Sequence, residues 1–188
     1  QIGERWFRCT TPKNYPRYAD FLQTHELFGG IWGIMSDPLQ VTTPFLYCVN
    51  YVFQREKLTT SLHAKANLTP EQRAAGSFAP SLVRKQEEFI KTVDDLEKGI
   101  PFIRVIPSLW VWAEDDQRAL ESIIRVKSIW EQTGYLMQDD RAILQVMFLA
   151  SLPFGLYLKG KVLETLERDF VLDAGAAART MPVQADFA

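Results

Sequence analysis

The chain has 188 residues, 47% of them apolar, so it can bury a core without disulfides or metal. Its 21 basic and 23 acidic side chains leave a net charge of −2, which excludes a global basic field for nucleic acid or an anionic membrane. Two cysteines, Cys9 and Cys48, are too few for a disulfide framework and point to a reducing compartment.

The chain opens on Gln1 rather than Met, so an excised piece or a processed chain is expected. Residues 4–10, with Trp6, Phe7 and Cys9 between charged neighbours, predict a strand, and Pro12, Asn14 and Pro16 a turn. From 17 to 35, Tyr18, Phe21, Leu22, Phe28 and Trp32 recur at helical spacing. Residues 45–54 predict a strand with Phe45, Tyr47, Val49, Tyr51 and Phe53 on one face, meant to pack on helices. Residues 55–98 predict helices interrupted at 67–70 and 76–80. The last carries Leu82, Phe89, Ile90, Val93 and Leu96 on one side and closes at Gly99.

A strand apolar on both faces follows at 101–113, broken by Arg104 and Ser108. Asp115 and Asp116 open a helix to Gln132 with Ala119, Leu120, Ile123, Ile124 and Trp130 as its buried stripe, and Gly134 ends it. A short strand is predicted at 135–138. Asp139 and Asp140 then start a helix whose Ile143, Leu144, Val146, Met147, Phe148 and Leu149 are too apolar all round for exposure. The apolar run 142–158 is too short, and too broken by Pro153 and Gly155, to span a bilayer. A helix at 159–170 and an alanine-rich linker or strap at 171–188 complete the chain. The fold class is α+β: a small mixed or antiparallel sheet of three or four strands against five or six helices, with domain 1–170 followed by linker 171–188.

Few residues offer chemistry. Gly155 to Lys161 satisfies the spacing of a phosphate-binding loop, but Val162 stands where a hydroxyl must bind magnesium, and Leu156, Tyr157 and Leu158 crowd the loop. His25 and His63 have no ligand-spaced neighbours, so no metal site is expected. Asp94–Asp95, Asp115–Asp116 and Asp139–Asp140 read as helix caps or solvated pairs. No catalytic or cofactor-binding residue is assigned. Trp110 and Trp112 share a strand face with Arg104 and Ser108. Such a face is either core or a docking patch, with Arg104, Trp110 and Trp112 the candidate contacts.

Phe148-Leu149-Ala150-Ser151-Leu152-Pro153, a following helix with Arg168, and Ala178-Arg179-Thr180-Met181-Pro182 form a pattern. It resembles the end of the N-terminal region of conjugative type IV secretion ATPases, the TraC family of F-type transfer systems. Upstream, Pro16 to Tyr18, Asp37 to Gln40, the aromatic strand after Pro44 and Leu96 to Gly99 agree with it.

The resemblance implies a large cytoplasmic ATPase at the inner face of the bacterial inner membrane, peripherally attached, that powers pilus assembly and DNA transfer. ATP and magnesium would belong to a C-terminal motor absent from this sequence. The role implied for this chain is non-catalytic: docking the motor onto membrane-embedded partners and neighbouring subunits, without direct nucleic-acid contact. The competing reading is a stand-alone α+β protein, with an enzymatic site built from unclustered polar residues.

Overall fold

The computed structural model describes residues 1–16, 27, 41, 43–53, 60, 80–153 and 168–181. The helix expected at 17–35, most of 55–79, the loop at 155–162 and most of the helix expected at 159–170 lie outside them. Five strands and four helices run in the order β1 (Trp6–Asn14), β2 (Phe45–Val52), α1 (Pro80–Glu97), β3 (Phe102–Ala113), α2 (Asp116–Gln132), β4 (Leu136–Asp139), α3 (Leu144–Ser151), β5 (Phe170–Asp173) and α4 (Ala174–Arg179). The α+β class holds. The sheet is antiparallel with one strand more than the upper expectation, and the helices are four among the described residues rather than five or six.

The twelve residues of β3 organise the sheet. Strand order is β2-β3-β1-β4. β2 pairs with β3 along 104–111, β1 along 109–113 and β5 along 102–105. Because the β5 and β2 pairings overlap at 104 and 105, β5 lies on the β1 side, end to end with it. The Trp112 N–H meets the Pro44 carbonyl beside β2, so even-numbered backbone groups face β2 and odd-numbered ones face β1 and β5. Pro107 therefore turns its nitrogen, which has no hydrogen, into the gap between β1 and β5. A proline in a central strand is accommodated there.

Alternation on β3 feeds two cores. Leu109 and Val111 point to α2, where Ile123, Val126, Ile129 and Trp130 close over them with Tyr135, Met137 and Leu27. Ile106 and Trp110 point the other way, to Met147 and Ala150 of α3 and to Cys9. The sheet is thus a middle layer between helices. Asp115 caps α2 by accepting the Arg118 N–H at 2.7 Å, and Gly134, at φ 92°, ends it as predicted.

Several expectations need correction. β1 continues through Pro12 to Asn14 instead of turning, because β4 pairs with 10–14 and a register shift between Pro12 and Asn14 absorbs the missing donor. On α2 the buried set is Ala119, Ser122, Ile123, Val126, Ile129 and Trp130, whereas Ile124 is 58% exposed. Ile90 of α1 is also exposed. Asp139 and Asp140 do not start a helix. α3 begins at Leu144 behind Ile143, whose side chain makes no cap bond. Phe170 starts a strand rather than ending a helix, and 170–179 pack on the sheet as β5 and α4.

Candidate interaction surface

The even face of β3 carries the residues singled out from the sequence. Trp110 is 2% exposed: its ring meets Phe148 edge-on at 5.6 Å and its indole N–H donates to Ser151 Oγ at 2.9 Å. It belongs to the core, which removes it as an exposed anchor. Ser108, also buried, lies 3.1 Å from the same Ser151 hydroxyl, and that hydroxyl donates to the Met147 carbonyl at 2.8 Å. Ser151, the last residue of α3, is therefore a polar hub that satisfies the indole and the Ser108 hydroxyl inside an apolar layer. The Cys48 thiol, raised by burial, also bonds to Ser151, which pulls it back down.

Trp112 is only half-buried. It stacks on Phe7 at 5.5 Å, and Phe7 meets Phe148 at 6.4 Å, so an aromatic row runs from the core to the surface. Arg104, at the far end of the strand, is not beside the tryptophans' row. Its Nη1 lies 3.4 Å from Asp169 Oδ2, and both side chains are largely covered.

Beside the aromatic row an apolar groove of about 730 Å³ opens between the N-terminal turn, β1 and α3. Ile2, Phe7, Ile143, Leu144, Phe148 and Leu149 line it, with Arg141 at its rim. Leu149 is 55% exposed, and Ile2, Val146 and Leu152 are exposed as well. The expectation that α3 is wholly buried is thus overturned: only Met147 and Ala150 are. An eight-residue helix packed on one sheet face can bury one side, so a mostly apolar sequence leaves apolar side chains on the other side uncovered among the described residues. The missing periodicity of α3 was the signal available in the sequence.

A second cleft, about 820 Å³, opens near the start of α2, with Arg5, Arg118, Arg125, Glu114 and Glu121 among its lining. Arg5 reaches Glu114 at 3.1 Å, and Arg118 reaches Glu114 at 3.8 Å and Asp115 at 3.4 Å. Its charges largely answer one another.

The acidic pairs separate into different roles. Asp94 bonds Lys98 on the surface of α1. Asp115 caps α2, and Asp116 pairs with Arg8 at 2.5 Å. Asp139, on β4, lies 3.1 Å from Lys127. Asp140 is fully buried and accepts from Arg168 Nε at 2.8 Å, a pair 28 residues apart that no local pattern announces. Among the described residues no three His, Cys, Asp or Glu side chains come together as metal ligands. His25 and His63 lie outside them. No described helix is long and apolar enough to cross a membrane.

An antiparallel sheet between helices, with an apolar groove running off its aromatic face, defines the chain as an α+β domain. The chain belongs to the TraC family of conjugative transfer proteins: the family model described as TraC protein matches residues 1–156, most of the sequence. That places it in conjugation by type IV secretion. A search among curated proteins returned no match.

Proposed function

We propose that the chain is the non-catalytic N-terminal domain of a conjugation ATPase and that it docks the motor onto inner-membrane partners and neighbouring subunits. Family membership supports the setting. The observation that carries the docking role is the groove beside α3, where Ile2, Val146 and Leu149 present an apolar surface to solvent. Contiguous exposed apolar side chains on a folded domain are the mark of a contact site. The half-buried Trp112 adds an aromatic edge near it, the residue class enriched at interface anchors.

In this reading pilus assembly and DNA transfer draw on ATP and magnesium held by a motor elsewhere in the parent protein, at the cytoplasmic face of the inner membrane. Val162, which offers no oxygen to magnesium, agrees with that division of labour. Calorimetric titration with magnesium-ATP is expected to show no saturable binding; micromolar binding lost in Lys161→Ala would overturn it.

The docking role is tested with Leu149→Lys against Ile124→Lys, two exposed positions on opposite helix layers. Both variants are expected to melt like the parent chain, and only Leu149→Lys to lose co-purification with inner-membrane transfer proteins. Equal retention by both variants would contradict the role of the groove.

A further inference from the structure

We infer that residues 168–180 form a strap that opens and closes on the sheet as one unit while the rest of the fold stays intact. Three consecutive residues at its start each sit against a buried polar group that is left short of a partner. Arg168 holds Asp140 through Oδ1, and Asp140 Oδ2 has no hydrogen bond. Asp169 holds Arg104 through Nη1, and Arg104 Nε has none. Phe170 packs on the Tyr15 ring at 4.3 Å, and the Tyr15 hydroxyl has none.

Folded proteins satisfy nearly all their buried polar atoms, so three orphans under one short segment require a physical reason. Water reaches all three groups when the strap lifts. Their hydration then offsets the contacts given up, and the closed state is held by a narrow margin.

Ala177 and Thr180 are the buried residues of the strap, and its strand contributes less. β5 pairs with only four residues of β3, and all four of its own residues are half-buried. Beyond it, the Tyr47 hydroxyl donates to the Thr180 carbonyl at 2.9 Å, and the Tyr51 hydroxyl lies 2.8 Å from Thr180 Oγ1. By contrast, the half of β3 paired with β1 carries Leu109 and Val111, sealed beneath α2. None of that core is built from strap residues, so the strap can leave without dissolving it. An open strap frees the edge of β3 at Ile103 and Val105 together with the rings of Tyr15, Tyr47 and Tyr51. The strap is the strand that fills this edge when closed. The inference stands apart from the role proposed for the groove.

Native-state hydrogen exchange on the whole 188-residue chain tests it. Odd-numbered β3 amides face β5, so Ile103, Val105, Phe170 and Leu172 are expected to exchange as one set, about 100-fold faster than Leu109 and Val111 and with a shallower denaturant dependence. The pair Tyr47→Phe with Tyr51→Phe, which removes bonds to Thr180 and keeps the rings, is expected to speed the first set and spare the second. Equal protection and equal denaturant slopes for the two sets would overturn the inference. So would a variant that speeds both sets alike or neither.

Discussion

Tyr15 and Tyr47 are both half-buried tyrosines on the α2 side of the sheet, yet their hydroxyls have opposite fates. Tyr47 donates to Thr180, whereas the Tyr15 hydroxyl is sealed without a partner. A made hydrogen bond contributes about 1 kcal/mol net, and a stranded one costs desolvation without return. Tyr47→Phe is therefore expected to lower unfolding free energy by about 1 kcal/mol, and Tyr15→Phe to leave it unchanged or raise it. Urea melts of the two variants check the sign; equal losses would contradict the account. Trp110→Ala, which empties a packed site and removes the indole donor to Ser151, is expected to cost about 3–5 kcal/mol.

At the scale of elements, helix ends supply the sharpest test. Gly99 and Gly134 both adopt left-handed backbone, at φ 88° and 92°, after α1 and α2. A Cβ at Gly99 meets open space, while one at Gly134 would stand 3.1 Å from Pro16 Cβ. Gly99→Ala should cost about 1 kcal/mol from backbone strain alone, and Gly134→Ala more, because Pro16 must also give way. Thermal melts that rank them the other way would contradict the packing described for the α2 terminus.

The same elements show what the sequence could disclose. β2, β3 and α2 were legible to within two residues at each end, because alternation, helical spacing, Asp115 and Gly134 all agree. Helix α3 was legible as a helix but not as a surface, since a segment apolar at most positions carries no clear period to say which side is covered. β5 was illegible: Phe170–Asp173 is four residues long, and the pairing that makes it a strand comes from β3, 65 or more residues earlier in the chain. The candidate trio separated for a related reason. Arg104, Trp110 and Trp112 share a strand face, but position along β3 decides burial, and only the fold reveals that α3 covers Trp110. The family setting was readable from the run around Leu149 to Pro153 and from short upstream signatures.

For the whole molecule, buried acidic protons tie stability to alkaline pH. Burial, followed by neighbouring tyrosines, holds the Tyr15 and Tyr47 hydroxyls well above their ordinary 10.0. Burial, then the Asp140 carboxylate, holds the Cys9 thiol well above 9.0. Each group binds its proton more tightly folded than unfolded, so its stabilising contribution is complete below the unfolded value and lost as pH rises toward the folded one. Melting temperature is expected to start falling above about pH 9 and to fall faster above about pH 10, with a shallower decline in Tyr47→Phe. A flat profile to pH 11 would contradict the burial of these groups.

The central claim is that this TraC-family domain works through contacts made at the groove beside α3. Photo-crosslinking from position 149 in transfer-competent cells, with position 124 on α2 as the control, tests it most directly. The account predicts crosslinks from 149 to an inner-membrane transfer protein or to a neighbouring subunit, and none from 124. Crosslinks from 124 to such proteins, with none from 149, would contradict it.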